Sequence, residues 1–98
     1  MALLDEAKKA VRISAAQTAF DDEIQGLIDA ARADLKLSGV WATKVEDDTD
    51  PLIKRAVFVY VKANFGLDNP DAIRFQASYD SIKAHLTLSI EYTEEQTS

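Results

Sequence analysis

A run of six apolar residues, Ala56 to Val61, limits the possible folds of this chain more than any other segment. The run follows an Asp-Pro pair: Asp50 can accept hydrogen bonds from the free amides of a helix start, and Pro51 suits the first helical position. The run has β-propensity too, so a buried strand is the alternative. The start signal and the stop at Gly66 favour a helix over residues 51–65, apolar on nearly every side and surrounded by other helices.

Three further segments carry apolar residues at the spacing of one helical face. The first covers about residues 3–11. The second covers about residues 19–38 and starts at a capping box, in which Thr18 precedes Asp21 by three residues. The last follows the cap signal of Asn69 and a proline, and its stripe consists of Ala72, Phe75, Tyr79, Ile82 and Leu86. The sequence therefore predicts a single-domain, all-α fold over residues 1–98: a small four-helix bundle with an extended C-terminal segment.

The second predicted helix has a row of small residues beside its apolar stripe: Gly26, Ala30 and Ala33. Small side chains let two helices approach closely. We interpret the row as a contact with another helix of the same subunit, and a contact between subunits is the alternative. The next segment, residues 40–49, lacks a helical period and is predicted to be a loop.

The hydrophobic period changes near the C-terminus. Leu86, Leu88, Ile90 and Tyr92 alternate with polar residues, which is typical of a strand. Because no other segment offers a partner strand, residues 87–98 are predicted to form an extended tail. This tail either pairs with another subunit or lies solvated, and pairing with another subunit is favoured.

The tryptophan of the predicted loop is a second candidate for contact with partners. Trp41 fits equally an interface anchor and a lid that folds back over the helices. The candidate interface residues are therefore Trp41, Leu88, Ile90 and Tyr92, and the predicted helix caps are Thr18, Asp50 and Asn69.

Few residues are suited to catalysis or metal binding. The only histidine, His85, lies near a predicted helix end, where a capping or surface role is expected. The acidic residues 46–50 lack the glycine and the distal glutamate of an EF-hand loop, and Asp50 is already required as a cap. We predict a solvated acidic loop and a protein that is not an enzyme and binds no cofactor or metal.

The charge of the chain restricts its partners. A net charge of −6 argues against sequence-independent binding to nucleic acid, which depends on clustered lysine and arginine. The longest strongly apolar run, residues 56–61, is far shorter than the roughly 20 residues that a membrane span needs. We expect neither nucleic-acid recognition nor membrane insertion.

Several stretches resemble one family, the head–tail connector proteins of long-tailed bacteriophages and prophages. They are residues 50–56 and 60–66, together with 20–24 and 79–83, and the resemblance extends over about the whole chain. It implies a structural protein of the virion that forms a ring under the portal, joins head to tail and extends the DNA channel. It also implies that the protein carries no cofactor and catalyses nothing.

The resemblance also implies particular partners and a location. The partners are other copies of the chain, in a ring that matches a dodecameric portal, the portal protein, and a downstream connector or tail-completion protein. DNA passes through without specific recognition. The protein is made in the cytoplasm of the bacterial host and resides at the head–tail interface of the virion. The alternative function is a free helical interaction module, of a regulatory kind, in a phage or a host cell.

Overall fold

The computed structural model describes residues 3–66 and 69–93, which form six α-helices and no strand. The bounds are α1 Leu3–Ala10, α2 Asp21–Leu37, α3 Ala42–Val45, α4 Pro51–Asn64, α5 Ala72–Leu88 and α6 Ile90–Thr93. The predicted all-α fold is confirmed. The four long helices correspond to the four predicted ones, and the two short helices are additional. Within this part of the chain, no helix has the length and apolar character needed to cross a membrane.

Helix α4 lies at the centre of the bundle and packs against α1, α2 and α5. Its fully buried side chains include Ile53, Val57 and Val61. They meet a stripe of α2 at helical spacing, made of Ile24, Ile28, Ala31 and Leu35, and each of these is 0% exposed. The apolar faces read from the sequence therefore close one core. The outer face of α4 is only partly covered, because Phe58, Val59 and Lys62 are half-buried.

Local chemistry fixes the start of α4. The Asp50 side chain accepts hydrogen bonds from the amides of Leu52 and Ile53, at 2.9 and 3.1 Å. Pro51 occupies the first helical position, where no amide hydrogen is needed. These bonds satisfy two donors that a helix start would otherwise leave free.

Asn69, the predicted cap of α5, lies two residues before the N-cap position, which is held by Asp71, so that prediction is corrected. Its side-chain oxygen accepts a hydrogen bond from the Asp71 amide at 3.1 Å. Its side-chain nitrogen donates to the backbone oxygen of Lys62 at 2.6 Å. Asn69 therefore joins the end of α4 to the turn that begins α5.

Thr18 does not cap α2 with its side chain, so that prediction is corrected. The helix begins at Asp21, and the preceding residue, Phe20, makes no side-chain cap bond. Thr18 contributes its backbone oxygen, which accepts from the Asp21 amide at 3.2 Å. The Asp21 carboxylate instead contacts the Lys8 ammonium of α1 at 2.7 Å, a distant partner that the capping pattern could not reveal.

Two segments predicted to lack helix contain short helices. The predicted loop over residues 40–49 holds α3, and the C-terminal alternation does not form a strand. Helix α5 continues to Leu88, the backbone is extended at Ser89 (ψ 127°), and α6 follows. The alternating apolar residues therefore belong to two helices and not to one face of a strand: Leu86 and Tyr92 are buried, and Leu88 and Ile90 are exposed. Residues 94–98 of the predicted tail lie outside the described residues.

The row of small residues on α2 does not pack on another helix within residues 3–66 and 69–93, so the interpretation as a contact inside the subunit was wrong. Gly26, Ala30 and Ala33 are all exposed. In the described part of the chain, a Cβ atom added at Gly26 would have no atom within 4 Å outside the adjoining backbone of its own helix. The core side chains of α2 lie on the opposite side of the helix: Ile24, Ile28, Ala31 and Leu35.

Candidate interaction surface

The C-terminal end of the described chain is held against the bundle by Tyr92. Tyr92 is 8% exposed, and its hydroxyl donates to the Asp50 carboxylate, with O–O distances of 3.0 and 3.2 Å to the two oxygens. The backbone oxygen of Tyr92 accepts from the Trp41 amide at 2.7 Å. One residue of α6 therefore joins the cap of α4 to the start of α3.

Electrostatics reinforce this junction. Burial, followed by the hydrogen bond to the Asp50 carboxylate, raises the pKa of Tyr92 to about 12. The Lys44 ammonium lies 5.4 Å from the centre of the Tyr92 ring and 3.8 Å from the Glu91 carboxylate. The phenol stays protonated at neutral pH, as a donor to Asp50 must.

An open groove of about 540 Å³ lies beside this junction, between the start of α4 and the end of α5. Its lining is mainly apolar, with an arginine, a histidine and a glutamate at its rim: Leu52, Arg55, Ile82, His85, Leu86, Ser89, Glu91 and Tyr92. His85 is thus an exposed residue of the groove wall. Such a lining suits an apolar side chain or a helix of a partner better than it suits chemistry.

Large apolar side chains are exposed around the groove. Leu52 is 47% exposed, Leu88 is 85% exposed and Ile90 is 66% exposed. Leu52 lines the groove, and the other two flank its residue Ser89 in the sequence. We call Leu52, Leu88 and Ile90 the end patch.

The structure places the four predicted interface residues differently. Leu88 and Ile90 are exposed, whereas Tyr92 is buried and its hydroxyl is bonded within the subunit. Trp41 is half-buried and is the residue before α3, so the interface and lid interpretations of its ring both remain predictions. Leu52 belongs to the same surface but was missed, because at the second position of an apolar helix it looks like a core residue.

The acidic residues of the segment 46–50 form ion pairs and hydrogen bonds within the subunit. Glu46 pairs with Lys36, and Asp48 pairs with Arg32. The hydrogen bond from Lys36, together with its charge, holds the pKa of Glu46 below its ordinary value. Hydrogen bonds from Thr49 likewise lower the pKa of Asp47. Among residues 3–66 and 69–93, no group of three His, Cys, Asp or Glu side chains is placed to hold a metal ion.

Comparison with known proteins gives one match. The sequence model of a family described as phage connector protein matches residues 3–93, which is nearly the whole chain. No curated protein and no solved structure matches it.

Proposed function

The chain belongs to the phage connector protein family, and from this membership we propose that it is a structural protein of the virion that forms a ring under the portal. In this role it joins the head to the tail and extends the DNA channel. Its partners are other copies of itself, the portal protein, and the next connector or tail-completion protein.

The observation that carries the proposal is the end patch. Burial of each large aliphatic side chain is worth about 2 kcal/mol, so a protein that stayed alone would gain by covering Leu88 and Ile90. Instead, the buried Tyr92 holds this end of the chain in place while both side chains point away from the core. A fixed apolar surface at one end of a small bundle suits docking to a neighbouring protein along the connector.

The charge of the chain agrees with a channel role. A net charge of −6 repels the phosphates of DNA and would let DNA slide past a ring of such subunits. The described residues also include no group of acidic, histidine or cysteine side chains suited to a metal-dependent reaction. The proposal therefore assigns no catalytic step to this protein.

Assembly with the portal tests the proposal. Purified protein is examined by mass photometry and negative-stain microscopy at rising concentration, alone and with portal particles of the same phage. We expect ring-shaped density on the portal, even if the free chain is a monomer in dilute solution. A chain that remains a monomer or dimer and does not bind a saturating amount of portal would refute the connector role and favour the free interaction module.

A further inference from the structure

The outer face of α4 is a second, partly uncovered surface, and it shares Arg55 with the groove beside the end patch. With 3.6 residues per turn, Arg55, Phe58 and Lys62 lie on the side of α4 opposite its buried residues Ile53 and Val57. Together with α1, this face forms a groove of about 500 Å³, lined by Ala10, Pro51, Lys54, Arg55, Phe58, Val59 and Lys62. The half-buried Phe58 also lines the adjoining depression beside Lys9 of α1.

The groove is rich in positive charge. Arg55 and Lys62 lie on its α4 side, and Lys9 and Arg12 extend the charge along the α1 side. None of these four takes part in an ion pair among the described residues, whereas Lys54 pairs with Glu6 at 2.8 Å. Asp5 at the α1 edge and Asp71 in the depression that holds Arg12 contribute opposing charges. We call this surface the basic groove.

The outer face of α2 has the complementary character. Asp22 and Asp29 are seven residues apart and therefore lie on the same side of the helix, and Glu23 is beside them. All three are exposed, and none is in an ion pair within the described part of the chain. Between and after these acids the surface includes Gly26, Ala30, Ala33 and the 89% exposed Leu37. Arg32 and Lys36 lie beside it, and they pair with Asp48 and Glu46. We call this surface the acidic face.

We infer that the acidic face of one copy docks into the basic groove of the next copy. The inference rests on the proposed ring, and it names the two surfaces from which that ring is built. A ring needs two different surfaces of each subunit, directed away from one another. The two surfaces meet that need: α2 packs on α4 through the buried side of each helix, so their outer faces lie on opposite sides of the bundle.

Shape and charge both favour a second copy as the occupant. The groove offers a half-buried aromatic ring, Phe58, between cations, and the acidic face offers small side chains between carboxylates. Small side chains reduce the distance between packed helix axes, so the backbone near Ala30 can approach the ring of Phe58. No contact among the described residues requires glycine at Gly26, where an alanine would favour the helix by about 1 kcal/mol.

Reciprocal charge reversal tests the contact. One variant carries Asp22→Lys and Asp29→Lys, and the other carries Arg55→Glu and Lys62→Glu. Far-UV circular dichroism and urea midpoints establish that both fold. Each variant alone should fail to form rings with portal particles, and an equimolar mixture should recover them, because each altered acidic face then meets an altered groove. Loss without recovery in the mixture would overturn the inference.

The other outcomes separate this contact from the ring itself and from DNA binding. If the wild-type chain forms rings and both variants alone form them equally well, the named surfaces are wrong and the connector role stands. If the wild-type chain forms no ring on the portal, both proposals fail. The basic groove is also probed with a fluorescent DNA duplex: if Arg55→Glu with Lys62→Glu abolishes DNA binding but leaves rings intact, the groove faces DNA and the inference is overturned.

Discussion

The hydroxyl of Tyr79 on α5 donates a 2.5 Å hydrogen bond to the carboxylate of Asp34 on α2, joining two helices that both pack on α4. Tyr79 is 1% exposed, and the Lys83 ammonium donates to the same carboxylate oxygen at 3.0 Å. Burial alone would raise the pKa of Asp34, but the bonds from Tyr79 and Lys83 and the Lys83 charge outweigh it and hold the pKa below its ordinary value. Burial, and then Asp34 itself, raises the pKa of Tyr79.

Replacing Tyr79 by phenylalanine should lower the free energy of unfolding by about 1–2 kcal/mol, since the lost hydrogen bond is to a charged group. The matched control is Tyr60→Phe, because the Tyr60 ring packs edge-on against Tyr79 and its hydroxyl has no partner among the described residues. Urea unfolding at neutral pH measures both. An equal loss in the two variants would show that the hydrogen bond to Asp34 contributes nothing of its own.

The same pair makes stability depend on pH in the acid range. The pKa of Asp34 is lower in the folded chain than in the unfolded chain, so its contribution is complete above pH about 4 and is lost as the pH falls through the folded value. We therefore expect the difference between wild type and Tyr79→Phe to shrink in acid. A difference that stays constant from neutral pH to about pH 2 would contradict this assignment.

Replacing Lys8 by methionine should destabilise the fold by about 2 kcal/mol, because a charged partner of Asp21 is removed. Lys8 is 1% exposed, and its ammonium donates to the backbone oxygen of Ala15 at 3.0 Å. It also lies 2.7 Å from the Asp21 carboxylate, an ion-pair contact without hydrogen-bond alignment. The neighbouring Lys9 is exposed, so Lys9→Met should change the urea midpoint little. Equal effects at both positions would refute a specific role for Lys8.

The features of the fold that could be predicted from the sequence are those that depend on residues close together in the chain. Asp50 and Pro51 act within one helical turn, so the start of α4 was predictable from their identity alone. Lys8 looks like any surface lysine, because its partners Ala15 and Asp21 become neighbours only when α1 folds against the start of α2. The end patch also depends on segments that are distant in the sequence, because Leu52 is exposed only where α5 and α6 leave it uncovered.

The alternation before the C-terminus was misread for a related reason. A period of two is typical of a strand, but here the alternating residues belong to two helices, one that ends at Leu88 and another that starts at Ile90. The hydrogen bond from the Tyr92 hydroxyl to Asp50, which is 42 residues away in the sequence, favours the helical arrangement over a strand. A pattern within seven residues carries no information about such a partner.

Replacing Tyr92 by phenylalanine should remove part of the loss of stability at high pH. The fold raises the pKa of Tyr92 from an ordinary 10.0 to about 12, so it favours the protonated phenol. This contribution is complete below pH about 10 and is lost as the pH rises towards about 12. Thermal unfolding of wild type and variant between these values measures the effect. If the melting temperature of the wild type falls no more steeply with pH than that of Tyr92→Phe, the contact with Asp50 does not raise the pKa of Tyr92.

The end patch is tested by Leu88→Glu combined with Ile90→Glu. Both side chains are largely exposed, so the free energy of unfolding should change by no more than about 0.5 kcal/mol. Binding to portal particles, measured by co-sedimentation, should fall at least tenfold, because carboxylates would be buried without partners. The matched control is Ile73→Glu: Ile73 is 86% exposed on the same helix but about 22 Å from Leu88 along its axis. Equal loss of binding in the control would refute a localised patch, and undiminished binding in the double variant would exclude this end of the bundle from the portal contact.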